Sequence, residues 1–371
     1  MRKTFRFRLF PTDGQRTKLR RTIQGCRKAY NLCLETRRNA YTNEGRTLTL
    51  YDTHGLIKNW RAEDPDIAFV HYHCLHEVNE RIQLAFQAFW RRCKSGENPG
   101  YPRFKSEERY DSFTFTDPTR GFRLIGDRTL RIHNVGDVRI KKHRPLEGNI
   151  KRLTVHQDVT GVWSAHLSVE VEDKILPPSH DAIGIDVGLE SFATLSNGEV
   201  IENPRFFRRD QRRLAKLSRQ VSGSPLGSER RARKRRARQK VWRSITNRRS
   251  DFAHKLSRQM VDRFGIICVE DLRITQMMGG NFRSMNRSIA DAAWGQFLSF
   301  TSYKAADAGR VFVEVDPRGT SQECSQCGAK VPKDLSVRIH DCHNCGFRTN
   351  RDHNSGLNIL RRGLASLARA A

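Results

Sequence analysis

The sequence predicts a multidomain chain, with a small β-barrel interrupted by helices in its first half and an α/β domain carrying a zinc ribbon in its second. Three observations carry this reading. Cys324-Ser325-Gln326-Cys327 and Cys342-His343-Asn344-Cys345 are two Cys-x-x-Cys knuckles separated by fourteen residues, the spacing of a four-thiolate zinc site. Short stretches between Ser112 and Val169 alternate with period two and are separated by Gly-Asp and Thr-Gly turns, the pattern of barrel strands. Two apolar runs upstream of the knuckles end on Asp186 and Glu270, and Asp352 follows the last cysteine by seven positions. Three carboxylates in this setting point to a two-metal nuclease with a zinc module inserted into it.

The 371 residues suffice for two or three domains, each with its own core. A net charge of +28 strains a compact state by self-repulsion, so a polyanion, nucleic acid, is the expected partner. A membrane is disfavoured, because no apolar run approaches about 18 residues and no signal peptide opens the chain. A basic tail is disfavoured because the cations occur along the whole length. Of the nine cysteines, four form the knuckles, and Cys26, Cys33, Cys74, Cys93 and Cys268 lie in apolar-periodic stretches where small buried hydrophobes belong. The odd total fits a reducing cytoplasm.

Residues 1–10 alternate Phe5, Phe7 and Leu9 with Arg6 and Arg8, which predicts a half-buried strand with a basic outer face. Thr12 or Asp13 can then cap a helix, whose apolar stripe is Leu19, Ile23, Cys26, Tyr30 and Leu34. A second helix is expected over His73 to Cys93, ended by Ser95-Gly96 and Asn98-Pro99-Gly100. From Ser112 strands are expected at 113–115, 129–132, 138–140, 151–155 and 163–169. The N-terminal strand has no nearby partner, so it is assigned to this barrel with the helical region inserted between.

After Leu176-Pro177-Pro178, Ala182 to Gly188 reads as an apolar strand carrying one carboxylate, continued as a hairpin through Ser196-Asn197-Gly198. A basic helical stretch fills roughly 203–263, broken at Gly223-Ser224-Pro225. Apolar strands at 265–269 and 311–315 follow, then the knuckles, then a helix from about Asp352 to Leu367. Gly279-Gly280 with Arg283 and Arg287 reads as a mobile basic loop.

Four thiolates fill a tetrahedral shell and leave no open position, so the zinc is expected to be structural, with His343 a rival ligand not needed. A buried carboxylate is costly unless paired or bound to metal, and hard divalent ions take oxygen ligands. Taken singly, Glu270 could be an ordinary strand-end charge and Asp352 a helix cap; the argument rests on all three recurring in order. Arg230, Arg231, Arg233, Lys234, Arg235, Arg236 and Arg238 form a single-sign run. Arg205, Arg208, Arg209, Arg212, Arg213, Lys216 and Arg219 lie around it. Phosphate backbone is the expected counter-charge. Trp60, Trp90, Trp163, Tyr101 and Phe104 could stack on bases but are read first as core.

Ile183-Gly184-Ile185-Asp186-Val187-Gly188, Cys268-Val269-Glu270-Asp271-Leu272 and Asn350-Arg351-Asp352-His353-Asn354 resemble the three acidic motifs of a RuvC-type, RNase H-like nuclease. Thr320-Ser321-Gln322 leading into the knuckles, and Gly100-Tyr101-Pro102-Arg103-Phe104-Lys105, resemble the TnpB proteins of small bacterial insertion sequences. Type V CRISPR effectors are related to that family.

The resemblance implies an oligonucleotide-binding-like wedge barrel (1–10 and 111–175), an inserted helical recognition domain (11–110), a RuvC-like nuclease domain (180–319 and 347–371) and a zinc-ribbon insertion (320–346). It implies an RNA-guided DNA endonuclease that cuts beside a short flanking motif. Asp186, Glu270 and Asp352 would hold two Mg²⁺ ions, with Mn²⁺ as an alternative. Cys324, Cys327, Cys342 and Cys345 would hold Zn²⁺. The partners implied are a guide RNA from the transposon end and double-stranded target DNA, one protein per guide RNA with a dimer left open, in a bacterial, nucleoid-associated setting. The rival readings are a guide-independent resolvase or transposase, and an RNA-guided repressor that no longer cuts.

Overall fold

The computed structural model describes every residue except Gly280, Asn281, Leu335 and Ala371, and only the backbone of Ala370. The chain divides into two compact units, Met1–Glu172 and Asp173–Ala371. Among the described residues no helix is long and apolar enough to cross a membrane.

The first unit begins with β1 (Arg2–Phe10), then four helices, α1 (Asp13–Glu44), α2 (Leu50–Glu63), α3 (Pro65–Phe69) and α4 (Tyr72–Lys94). Six strands follow: β2 (Ser112–Phe115), β3 (Phe122–Ile125), β4 (Thr129–Ile132), β5 (Gly136–Lys141), β6 (Asn149–Gln157) and β7 (Trp163–Glu170). The sheet order is β2-β6-β7-β1-β5-β4-β3, so β1 lies in the middle, antiparallel to both β7 and β5. The edges β2 and β3 are not paired, but the Phe115 and Phe122 rings stand 5.9 Å apart across them. The sheet is thus nearly closed.

Phe7 and Leu9 are buried while Arg6 and Arg8 face water, as the alternation of β1 predicts. They join one core with Leu19, Ile23, Cys26, Tyr30 and Leu34 of α1 and Leu75, Val78, Ile82 and Phe86 of α4. Each such side chain contributes about 1.5–3 kcal/mol by leaving water. Thr12 and Gln15 form a reciprocal capping box at the start of α1, and Gly45, at φ 65°, ends it in the left-handed region. Helix α2 was not legible in the sequence. It buries only Thr53 and Ile57, and a second capping box, Thr49 with Asp52, starts it.

Two expectations are corrected here. Cys93 is exposed, because it lies in the last turn of α4, beyond the buried residues of the apolar stripe that end at Phe86. Trp163 is core, but Trp90, Tyr101 and Phe104 are 37%, 41% and 42% exposed. Tyr101 meets Phe86 and Phe89 by its edge, so only part of each ring is covered.

The second unit comprises β8 (Ala182–Val187), β9 (Ser191–Leu195), β10 (Val200–Glu202), α5 (Phe206–Ser222), α6 (Glu229–Arg263), β11 (Ile266–Glu270), α7 (Ile274–Met277), α8 (Arg283–Ala292), α9 (Trp294–Asp307), β12 (Val311–Val315), β13 (Ile339–Asp341), β14 (Arg348–Asn350) and α10 (Arg351–Ala370). Its main sheet runs β10-β9-β8-β11-β12, with β8, β11 and β12 parallel. Ile183, Ile185, Ile267 and Val269 face α6 and α9 and form one core with Leu256, Met260 and Phe297. The opposite face receives α10, where Ile359 packs on Cys268, Val313 and Val315. The basic loop expected around Gly279-Gly280 is only partly described. Gly280 lies outside the described residues, and Arg283 and Arg287 belong to helix α8, which buries Ile289 and Ala292 at i and i+3.

Candidate functional site

Asp186 and Glu270 leave the sheet side by side. Strands β8 and β11 pair in parallel up to Ile185↔Val269, and the next residue of each is acidic. Side chains alternate along a strand, so Gly184 and Asp186 share a face, as do Cys268 and Glu270. Helix α10 lies on that face. A Cβ on Gly184 would stand 2.1 Å from the Gly356 carbonyl oxygen, and one on Gly363 would stand 2.2 Å from the Cys268 sulfur. Only glycine permits these two approaches, and together they fix the course of the helix. Its first turn carries Asp352, whose charge bears on Asp186 together with that of Glu270.

The electrostatics show what the cluster lacks. Burial, then the negative charges of Glu270 and Asp352, push the Asp186 carboxyl well above the usual carboxylate range, and Arg351 offsets only part of this. Burial also raises Glu270, while the Thr320 hydroxyl and Arg362 oppose the rise. Asp352 has Arg351 Nε at 3.2 Å and Arg338 Nη1 at 3.9 Å. Three carboxylates whose mutual repulsion and burial are only partly offset by Arg351, Arg338 and Arg362 fit oxygen-ligated divalent cations. Their oxygens do not close to within 4.8 Å of one another, as only the four thiolates do among the described residues. Beside Asp352 opens a cleft of about 290 Å³, also lined by Glu190, Thr194, Arg338, Asn350 and His353. His353 is held at both ring nitrogens, by Thr349 Oγ1 at 2.9 Å and the Ser196 carbonyl at 3.2 Å.

The cysteines converge. Cys324 and Cys345 sulfurs lie 3.6 Å apart, as do those of Cys327 and Cys342. A tetrahedron with zinc–sulfur bonds of about 2.3 Å has edges of about 3.8 Å, so the cluster fits zinc. Gly328 and Gly346 follow the second cysteine of each knuckle at φ 75° and 73°. Their N–H groups donate to the carbonyls of Cys324 and Cys342 at 2.9 and 2.8 Å. His343 is exposed and outside the cluster. The ribbon is fastened to α10 through Asn354, which donates to the Glu323 carbonyl at 2.7 Å and accepts the Ser325 N–H at 3.0 Å.

The basic residues are spread over α5 and α6. Arg205, Arg208, Arg209, Arg212, Arg213, Lys216 and Arg219 are exposed, as are Arg230, Arg233, Arg235 and Arg236, while Lys234 and Arg238 are half-buried. Arg231 departs from the expectation. Its Nη1 donates to the Val221 and Ser224 carbonyls, both at 2.9 Å, so it closes the C-terminal end of α5. A helix end leaves its last carbonyls unpaired, and an arginine one turn into the next helix is placed to satisfy them.

Sequence reasoning missed Arg338, which immediately precedes β13 of the ribbon hairpin (Ile339–Asp341) and bonds Glu190 at 2.9 Å. No periodicity marks it. It also missed the row Asn354, Asn358 and Arg362, whose four-residue spacing was the available signal.

A family described as "Probable transposase" matches residues 166–280, and one described as "Cas12f1-like, TNB domain" matches 294–359. A third, "Helix-turn-helix domain", matches residues 1–46, which here are a strand and one unbroken helix. A protein of Streptomyces pristinaespiralis named "Putative RNA-guided DNA endonuclease" is 34% identical over 378 residues, covering 99% of this chain and 91% of that one. "TnpB-like protein L79" of Acanthamoeba polyphaga mimivirus is 27% identical over 199 residues, 50% of this chain and 38% of that protein. The fold is similar to that in "Cryo-EM structure of the Cas12f1-sgRNA-target DNA complex", with TM-score 0.58 at 14% identity, covering 92% of this chain and 81% of that one.

Proposed function

The chain belongs to the TnpB family, and on that footing we propose that it is an RNA-guided DNA endonuclease with a two-cation active centre at Asp186, Glu270 and Asp352. The observation that carries the chemistry is the convergence of three carboxylates from β8, β11 and α10 at one end of the sheet, with burial and mutual repulsion opposing the charge on Asp186. Bound there, Mg²⁺ or Mn²⁺ would generate hydroxide from water and neutralise the leaving oxygen of a phosphodiester. The β8–β11 ladder fixes where the Asp186 and Glu270 side chains leave the backbone, and the glycine contacts of α10 do the same for Asp352.

The four cysteines form a closed zinc site that supports the fold and leaves no coordination position for substrate. Exposed cations of α5 and α6 offer a backbone-binding surface whose affinity falls with salt. Target choice would be delegated to pairing between a guide RNA and one DNA strand, with the nearly closed sheet acting as wedge and helices α1 to α4 as recognition domain.

The test is to purify the protein with its RNA, sequence that RNA, and supply a plasmid carrying the matching target. Wild type should cut in Mg²⁺ and not in chelator, and Asp186→Ala should bind the target without cutting. Cutting that needs no RNA would favour a guide-independent nuclease. Target binding by wild type with no cutting in Mg²⁺ would favour a repressor.

A further inference from the structure

We propose that Thr320 is a positioning residue for the divalent-cation centre, and that a stripe of side chains on α10 holds it in place. Thr320 is 3% exposed. Its hydroxyl donates to Glu270 Oε1 at 2.6 Å, short enough for a charge-assisted bond, and lies 3.0 Å from the Pro317 carbonyl. A glutamate side chain has three rotatable bonds, and a strand fixes only the first atom of it. The Thr320 bond fixes the far end, which is the part that meets a cation.

Thr320 itself is held by the ribbon's seat on α10. Asn358, fully buried, donates from one Nδ2 to the Thr320 carbonyl at 2.8 Å and to the Glu323 carbonyl at 2.7 Å. Asn354, one turn earlier, grips Glu323 and Ser325 on either side of Cys324. Arg362, one turn later, donates to the Asp316 and Arg318 carbonyls at 2.8 Å each and to Glu323 Oε2 at 2.9 Å. Three side chains on one stripe of α10 thus tie down the ten residues from Asp316 to Ser325. That segment has Thr320 in its middle and the first zinc thiolate near its end. Outer partners of metal-ligating groups commonly govern affinity by 10- to 100-fold when removed. Thr320 and Cys324 are thus anchored by the same stripe of α10.

This inference rests on the reading of Asp186, Glu270 and Asp352 as a cation centre, and its test separates the two. Mn²⁺ binding to the zinc-loaded protein is measured by titration calorimetry and by the loss of the free-ion paramagnetic resonance signal. Wild type, Asp186→Ala, Thr320→Val and Thr320→Ser are compared, with zinc content measured for each. Thr320→Val should keep one zinc per chain and bind Mn²⁺ roughly tenfold more weakly. Thr320→Ser, which restores the hydroxyl, should bind within about twofold of wild type. If Thr320→Val binds as wild type does while Asp186→Ala binds poorly, this proposal falls and the cation centre stands. If wild type binds no Mn²⁺, or Asp186→Ala binds it unchanged, both fall.

Discussion

Arg249 and Asp291 are joined by two bonds to a single oxygen: Arg249 Nε and Nη2 reach Asp291 Oδ1 at 3.1 and 2.7 Å. The same carboxylate accepts the Phe207 N–H at 2.8 Å and lies within 3.4 Å of the Arg208 N–H. The residue before helix α5, Arg205, is in the left-handed region and caps nothing with its own side chain, so α8 supplies the cap from a distance. Asp291→Ala leaves a largely buried guanidinium and two unpaired amides, and should cost about 3 kcal/mol. Urea unfolding of the zinc-loaded protein measures this, and a change below about 1 kcal/mol would mean that water replaces the carboxylate.

Gly184 should tolerate no side chain. Its Cβ would meet backbone, the Gly356 carbonyl oxygen at 2.1 Å and the Leu360 nitrogen at 2.7 Å, and backbone cannot rotate aside. Gly184→Ala should cost about 1–3 kcal/mol and lift α10 from β8. Asp352 would then move off Asp186, and Mn²⁺ binding should fall along with the melting temperature. By contrast Gly14→Ala, where the added carbon meets nothing within 4 Å, should leave both unchanged.

Stability should fall in mild acid. Burial, aided by neighbouring cations and histidines, holds His71, His76 and His166 of the first unit down to about 4. The unfolded chain takes up these protons near pH 6.5. Between the two values the unfolded state binds more protons, so stability is full above about pH 6.5 and declines as pH drops towards 4. The urea midpoint should therefore be lower at pH 5 than at pH 7, and His76→Gln should flatten that slope. Because the raised carboxyls Asp186 and Glu270 pull the other way, the check is the comparison itself: a slope identical in wild type and His76→Gln would overturn the assignment to His76.

The basic run should split by function. Arg230, Arg233 and Arg236 are exposed at three-residue intervals of α6. Replacing all three with alanine should reduce the salt dependence of DNA binding by up to about 0.9 in log–log slope per lost phosphate contact, with unfolding unchanged. Arg231→Ala should do the reverse, because it removes two bonds to the α5 terminus and few or no phosphate contacts. Fluorescence anisotropy across a salt series, beside urea unfolding of the same proteins, distinguishes the two.

What could be read before any coordinates were known follows from how local each signal is. The knuckles are legible because zinc ligation fixes both residue type and spacing, and Gly328 and Gly346 confirm the turn that spacing demands. The N-terminal strand could be assigned to the barrel because its alternation had no partner nearby, and it lies between β7 and β5. The acidic residues stood out against apolar strands, yet nothing local showed that α10 would bring Asp352 to them. That depends on Gly184 and Gly363, whose role is a contact distance. Arg338, and the contact of Thr320 with Glu270, lay below the horizon for the same reason, since a single polar side chain in a loop has no period. Tyr101 and Phe104 misled in the opposite direction. Aromatic side chains next to a helix end read as core, but their loop leaves them about two-fifths exposed, against Arg38, whose guanidinium lies 5.2 Å from the Phe104 ring.

Strand β1 pairs along its length with β7, from Arg2↔Glu170 to Leu9↔Trp163. During synthesis the nearest of these partners emerges 154 positions after Leu9, on the order of ten to thirty seconds later at ribosomal speed. Its other partner, β5, emerges somewhat earlier, Ile140 coming 131 positions after Leu9, and until then Phe5, Phe7 and Leu9 have no sheet to enter, while α1 to α4 are already available to fold. The nascent chain must therefore carry an unpaired apolar strand, and holding it off other chains falls to its alternating arginines and to whatever chaperone meets it first.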